Sequence, residues 1–148
     1  MRLYLDTSVF GGCCDDAFKA PSLAVIEMIR RGEARGVGSD LLVEELEGAP
    51  DEVKAMLQRI PEDHMEWVDA DERSEALCNA YITAGALGKA SEDDALHVAL
   101  ASLAKVDAIL SWNFKHIVNY SRMRIFHRVN QEWGLPLIEI CAPFKPGE

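Results

Sequence analysis

Short apolar segments alternate with helical ones along the whole chain, and this alternation restricts the fold more than any other feature. The predicted strands cover residues 2–5, a short stretch around Val37, 65–70, 108–112 and 135–141. The predicted helices cover 21–35, a stretch that follows Val37 and runs through Leu46, 51–60, 72–88, 91–105 and 124–134. Strands that alternate with helices predict an α/β layer fold with a mostly parallel sheet.

Ligand sites in parallel sheets lie beyond the carboxyl ends of the strands. Asp6 follows the first predicted strand, and the sequence SWNFKH at 111–116 follows the apolar residues 108–110. This second segment ends a buried strand in polar side chains, with no glycine or proline to turn the chain. The sequence therefore directs attention to these two strand ends and to the residues after Val37.

Size and composition fit one ordinary globular domain. With 148 residues, 49% of them apolar, the chain can bury a core, and we expect a single domain over 1–148. The longest apolar run, 95–104, is about half the length that crosses a bilayer, and the amino terminus is a poor signal peptide. We therefore expect a cytoplasmic protein with no membrane association, four free cysteines and no zinc site.

The net charge of −10 is concentrated in one segment. Residues 40–75 contain thirteen acidic and three basic residues, so the rest of the chain is neutral overall. This acidity argues against tight nonspecific binding to nucleic acids, which depends on lysine and arginine contacts to phosphate. Arg122, Arg124 and Arg128 lie close together in the sequence, so a local basic face is left open.

Acidic residues near the predicted strand ends have ordinary structural explanations when each is taken alone. Asp6, followed by Thr7 and Ser8, has the composition of a turn or a helix cap. Glu44 and Glu45 point about 100° apart on their helix. Glu45 borders the apolar stripe of that helix, so we expect Glu44 to face solvent.

The helix predicted at 91–105 begins with another acidic candidate. Ser91 and Asp94 have the spacing of a capping box. Asp94 also opens a helix whose next ten residues are nearly all apolar, which places its carboxylate at the positive, buried end. His97 is one turn further along the same face, and we interpret it as a core histidine.

The convergence of these positions favours a site. Asp6, Glu45, Asp94 and Asn113 are all expected at one edge of one parallel sheet. Three carboxylates repel one another strongly unless they are protonated or bridged by a cation. Oxygen donors suit Mg²⁺ or Mn²⁺ better than Zn²⁺, so the sequence predicts a magnesium or manganese site.

Four motifs, in this order and spacing, resemble those of PIN-domain nucleases: LYLDTSVF at 3–10, SDLLVEEL at 39–46, DDALHVALA at 93–101 and LSWNFKHIVN at 110–119. The ending at 130–143 is similar to the tail of a subgroup close to VapC-type toxins of toxin–antitoxin pairs. The resemblance runs through the whole length of the chain. It implies a three-layer α/β/α PIN-like domain that uses a divalent metal to hydrolyse phosphodiester bonds in single-stranded RNA, leaving a 5′-phosphate and a 3′-hydroxyl.

The resemblance also implies roles for particular residues. Asp6, Glu45 and Asp94 would be the metal ligands, and Ser8 would support the site by hydrogen bonding near Asp6. Asn113 stands where many members have a fourth carboxylate, so the chain departs from the fuller pattern at that position. We interpret Asn113 as a catalytic residue that offers its carbonyl oxygen to a water. A cognate antitoxin and a homodimer are further expectations from the family.

Substrate contacts are predicted in and after the segment 111–116. Lys115 or His116 would meet a phosphate, and Phe114 would turn back into the core. Because the segment 40–75 is acidic, we expect RNA to lie against Lys115, His116 and the region of Arg122 and Arg124.

Two alternatives compete with a metal-dependent ribonuclease. A phosphotransferase with an aspartyl nucleophile usually carries an Asp-x-Asp motif, where this chain has Asp6, Thr7 and Ser8. A PIN-like module that binds RNA or a protein partner without turnover is compatible with Asn113 and with the acidity of the chain. A nuclease assay with added metal separates this module from an enzyme.

Overall fold

A five-stranded sheet lies at the centre of the part of the chain that the computed structural model describes, residues 1–143. The strands are β1 (Arg2–Leu5), β2 (Arg35–Ser39), β3 (Met65–Val68), β4 (Ala108–Leu110) and β5 (Glu139–Cys141). Their order is β3-β2-β1-β4-β5, and every neighbouring pair is parallel. The prediction of an α/β fold with a mostly parallel sheet is confirmed.

Helices cover both faces of this sheet and give it three layers. Within residues 1–143 they are α1 (Thr7–Gly12), α2 (Lys19–Arg30), α3 (Asp40–Glu47), α4 (Asp51–Gln58), α5 (Glu72–Thr83), α6 (Glu92–Leu103) and α7 (Tyr120–Glu132). Successive side chains of a strand point to opposite faces. Tyr4 therefore packs with α5, α6 and α7, whereas Leu3 and Leu5 pack with α1 to α4. The three-layer prediction is confirmed.

Several element boundaries differ from the sequence-based prediction. Helix α1 was not predicted; it begins directly after Asp6, whose side chain accepts a hydrogen bond from the backbone of Ser8. Helix α5 ends at Thr83 rather than Gly88, because Gly85 adopts a positive φ of 87°. Helix α7 begins at Tyr120, four residues earlier than predicted, because Asn119 caps it through Arg122 N.

Helix α6 is deeply buried, as its nearly continuous apolar sequence predicts. Seven of its residues are buried, including His97 and Ser102. The Ser102 hydroxyl lies in a buried polar network with Tyr81 and Asn130, so its hydrogen-bonding capacity is used. The expected capping box at Ser91 does not form, since the side chain of Ser91 makes no capping hydrogen bond.

The structure bears on the predictions for the cysteines and for membrane segments. Cys13, Cys14, Cys78 and Cys141 are all free thiols, as predicted. Among the helices of residues 1–143, none combines the length and the hydropathy that a bilayer-spanning segment needs. The predicted domain, 1–148, extends five residues beyond the described range.

Two neighbouring glycines in α1 provide a test of how closely this helix packs against Ser22 and Trp112. A Cβ atom added at Gly12 would lie 2.5 Å from Ser22 Oγ and 2.7 Å from Trp112 Nε1, whereas one at Gly11 would meet nothing within 4 Å. We expect Gly12→Ala to lower the free energy of unfolding by about 1–3 kcal/mol through overpacking. Gly11→Ala, the matched control, should raise it by roughly 0.5–1 kcal/mol because alanine favours the helix. Urea denaturation measures both, and equal effects would contradict the close approach at Gly12.

Candidate active site

Asp6 stands at the carboxyl end of β1 and is held in place by two serines. The carboxylate is buried, and its Oδ2 accepts hydrogen bonds from Ser8 Oγ at 2.6 Å and from Ser111 Oγ at 2.8 Å. Ser111 reaches Asp6 because β1 and β4 pair with Leu5 opposite Leu110, so the next residues of both strands are also opposite. The structure thus adds Ser111 to the residues that the sequence singled out.

Ser8 connects Asp6 to the segment that follows β4. Its hydroxyl donates to Asp6 and accepts from the backbone N–H of Trp112 at 2.9 Å. Ser8 thus makes the hydrogen bond to Asp6 that the resemblance implies. One short side chain therefore fixes the carboxylate and the start of the segment 111–116 relative to each other.

Glu45 projects from α3 towards the same point. Its Oε1 accepts hydrogen bonds from Thr7 Oγ1 at 2.6 Å and from His97 Nε2 at 2.5 Å. Glu45 is half-buried and Glu44 is exposed, which agrees with the 100° separation of adjacent residues on a helix. Helix α3 begins at the end of β2, where Ser39 caps it through Leu42 N.

His97, interpreted from the sequence as a core histidine, is buried and also joins the two acids. Its Nε2 lies 2.5 Å from Glu45 Oε1 and 3.5 Å from Asp6 Oδ1. Its Nδ1 is hydrogen-bonded to the Tyr4 hydroxyl at 2.7 Å, and that hydroxyl is hydrogen-bonded to Ser39 Oγ at 2.8 Å. The sequence signal for this role was its position one turn after Asp94, on the same face of α6.

The charges in this cluster compensate one another. Burial lowers the pKa of His97, but the hydrogen bond to Glu45 and the carboxylates of Asp6, Glu45 and Asp94 outweigh it, so the pKa is raised overall. Burial raises the pKa of Glu45, but hydrogen bonds from His97 and Thr7 outweigh it, so that pKa is lowered. The hydrogen bond between His97 and Glu45 thus shifts both pKa values in the direction of the charged forms.

One group of acidic, histidine or cysteine side chains within residues 1–143 is close enough together to hold a metal ion. It comprises Asp6, Glu45 and His97, whose ligand atoms all lie within 4.8 Å of one another. The two carboxylates supply oxygen donors that suit a divalent cation such as Mg²⁺ or Mn²⁺, whereas both ring nitrogens of His97 are engaged with Glu45 and Tyr4.

Asp94 is offset from this group. Its Oδ2 is hydrogen-bonded to His116 Nδ1 at 2.8 Å, and about a quarter of each side chain is exposed. Asp94 lies in the first turn of α6 and is close enough to raise the pKa of His97. The structure brings Asp6 and Glu45 together and places Asp94, with His116, at the rim.

The side chain of Asn113 is engaged in the turn that follows β4. Its Oδ1 accepts a hydrogen bond from His116 N at 2.9 Å, and its backbone N–H donates to Ser111 Oγ at 2.9 Å. Its carbonyl oxygen accepts from the backbone of Ile117. The structure therefore gives Asn113 a local role in shaping the loop.

Phe114 does not turn back into the core, and this prediction was wrong. The turn at 113–118 brings Ile117 into the buried position instead, whereas the Phe114 side chain is 51% exposed. A hydrogen bond from Phe114 N to Trp112 O at 2.9 Å precedes this turn.

The predicted substrate-binding residues differ in how free they are. Lys115 and Arg124 are exposed, and the Arg124 guanidinium lies 5.9 Å from the ring centre of Tyr120. Arg122 instead donates to the backbone carbonyls of Lys115 at 2.7 Å and Ala86 at 2.8 Å. Arg122 thus ties two loops together.

Among known proteins, the likeness lies in the fold and not in the sequence. No protein-family model and no curated protein matches the sequence. The structure is similar to a chain in the crystal structure of VapBC2 from Rickettsia felis bound to a DNA fragment from their promoter. The TM-score is 0.58 and the identity 12%, over 95% of this chain and 97% of that chain. The likeness establishes the fold. It agrees with the PIN-like fold that the resemblance of the sequence motifs implies.

The hydroxyl of Tyr4 supports the cluster from within the core, and its removal tests that support. Tyr4→Phe leaves His97 Nδ1 and Ser39 Oγ without this partner in a buried environment, so we expect the free energy of unfolding to fall by about 1–3 kcal/mol. Tyr120→Phe makes the same change at a residue that is 77% exposed, and it should change stability by less than about 0.5 kcal/mol. Equal losses in chemical denaturation would contradict the support given by Tyr4.

Proposed function

We propose that this protein is a divalent-metal-dependent ribonuclease that hydrolyses single-stranded RNA and acts as the toxin of a toxin–antitoxin pair. The observation that carries the proposal is the meeting of Asp6, Glu45 and His97 at the carboxyl edge of the parallel sheet. The likeness in fold to a chain of VapBC2 supports it.

In this proposal Asp6 and Glu45 hold Mg²⁺ or Mn²⁺, and Asp94 completes the site from the rim. Asp6 Oδ2 is already occupied by two serine hydroxyls, which leaves Oδ1 to face the cation. His97 acts as a positioning residue, since it donates to Glu45 and is held at its other nitrogen by Tyr4.

The reaction would be hydrolysis of a phosphodiester bond. A bound divalent cation supplies charge compensation and activates water in reactions of this class. Ser8 and Ser111 hold Asp6, while Thr7 and His97 hold Glu45, so both carboxylates are oriented before substrate arrives. A carboxylate oxygen that is free of these hydrogen bonds would accept the proton of the attacking water.

The proposed partners are RNA, an antitoxin and a second copy of the chain. Lys115, in the segment after β4, and Arg124, on α7, are exposed, and we propose that they contact RNA phosphates. An antitoxin is proposed because the similar structure is a VapBC complex. We also propose a homodimer, on the family resemblance alone.

A second candidate, a PIN-like module that binds without turnover, is favoured by two specific observations. Asn113, which stands where the resemblance places an acid, is engaged in the turn, and Asp94 is paired with His116 outside the cluster. Both features reduce the number of carboxylates available to a cation.

Adjacent glutamates on α3 allow a matched test of the metal site. Glu45→Gln removes the charge of a proposed ligand, and we expect a fall in RNA cleavage of at least about 100-fold, together with weaker Mn²⁺ binding in calorimetry. Glu44→Gln, at the exposed neighbouring position, should leave both unchanged. The assay uses single-stranded RNA with Mg²⁺ or Mn²⁺ and a parallel reaction in EDTA.

The outcomes separate the two candidate functions. Cleavage that persists in EDTA would contradict the metal mechanism. Binding of Mn²⁺ and RNA without cleavage under any metal would favour the binding module. Equal activity of Glu45→Gln and wild type would contradict the proposed role of Glu45 as a metal ligand.

The two nearby arginines should affect RNA binding in different ways. Arg124→Gln removes a proposed phosphate contact, so affinity should fall and the slope of log K against log salt should flatten by about 0.7. Arg122→Gln breaks two contacts to backbone carbonyls, so its main effect should be a lower melting temperature. Filter binding at several salt concentrations and thermal unfolding measure these effects, and an unchanged slope for Arg124→Gln would place the RNA elsewhere.

A further inference from the structure

Three aromatic rings form a row beside the acidic cluster. Phe18 and Trp112 are stacked with ring centres 4.2 Å apart and an interplanar angle of 26°. Phe114 meets Trp112 edge to face at 6.1 Å. Phe18 and Trp112 are partly exposed, and Phe114, at 51%, is the most exposed of the three.

The row is fixed to the residues that hold Asp6. The backbone N–H of Trp112 donates to Ser8 Oγ at 2.9 Å, and Ser8 Oγ in turn donates to Asp6. The Trp112 indole donates to Ser22 Oγ at 2.8 Å, which orients the ring. A molecule held on these rings is therefore held at a set position relative to Asp6.

The exposure of Phe114 has no explanation in the packing of the core. Single exposed apolar residues are common on protein surfaces. This ring, however, continues a row of two others, and it lies in the segment that also carries Ser111, a hydrogen-bond donor to Asp6.

We propose that this row, with Phe114 at its exposed end, is a stacking platform for an unpaired base of the RNA substrate. The proposal rests on the ribonuclease function proposed above and names how the site selects single strands. Aromatic rings stack on any base, because every base has a π-face, and they reach bases only where these are unpaired.

Exposed residues of both charges lie near the rings in the sequence. Lys19 follows Phe18 and Lys115 follows Phe114, and both lysines are exposed. Asp15 and Asp16, in the loop before Phe18, are exposed as well. Because Phe114→Leu removes no charge, loss of the ring should weaken binding equally at all salt concentrations.

The experiment compares matched substitutions of exposed aromatic residues. Phe114→Leu keeps an apolar side chain but removes the ring, and Phe114→Trp keeps a ring. Trp67→Leu is the control, because Trp67 is 46% exposed but lies on β3, three strands away from β4. Neighbouring strands are about 4.8 Å apart, so this is roughly 14 Å of sheet. Thermal unfolding confirms that each variant is folded.

Binding is measured in EDTA with a single-stranded RNA of about 8 nucleotides, within the range that such platforms cover. We expect Phe114→Leu to bind about five- to tenfold more weakly, with an unchanged salt slope, and Phe114→Trp and Trp67→Leu to bind like wild type. In the Trp67→Leu protein, RNA should quench the fluorescence that Trp112 contributes. A duplex of the same sequence should not compete.

Several results would overturn the platform. If Phe114→Leu binds single-stranded RNA with wild-type affinity, or if the duplex competes equally, the platform proposal is wrong. The proposed nuclease function would still stand if metal-dependent cleavage is observed. Equal weakening by Trp67→Leu would remove the assignment to this row. Absence of RNA binding and cleavage by the wild-type protein would remove both proposals.

Discussion

The parallel pairing of β1 with β4 is the interaction on which the rest of the site depends. With Leu5 opposite Leu110, the residues that follow these strands meet, and Ser111 contacts Asp6. The same pairing brings the backbone of Trp112 to Ser8. A shift of one residue would separate these partners and also exchange the two faces of β1. The acid, its serines and the aromatic row therefore all depend on one register.

A buried histidine between two acids is expensive unless its charge is matched and its nitrogens are satisfied. Here Glu45 and Asp6 provide the opposite charge, and Tyr4 occupies the second nitrogen. Breaking one member of such a group usually costs more than the group contributes as a whole, because an unpaired buried charge is left behind. The hydrogen-bonded chain from Ser39 through Tyr4 to His97 links β2, β1 and α6, so the polar cluster also joins the sheet to a helix layer.

The alternation of strands and helices predicted an α/β fold with a mostly parallel sheet and the strand end that carries Asp6, because these depend on local periodicity, whereas the three layers were implied by the resemblance to PIN domains. The sequence placed Glu45 correctly relative to Glu44, since helical geometry separates their directions. It missed α1 because the residues after Asp6 have the composition of a turn. The exposure of Phe114 and the pairing of Asp94 with His116 were not predictable, because both depend on a turn whose partners are set by tertiary contacts.

Asp6 does two things at once, because its side chain caps α1 and also faces the cluster. A chain of this fold cannot discard this carboxylate without also loosening the start of its first helix. Selection for folding alone would thus retain Asp6. In a diverged copy of such a domain, the presence of this aspartate is therefore weak evidence that the site still works.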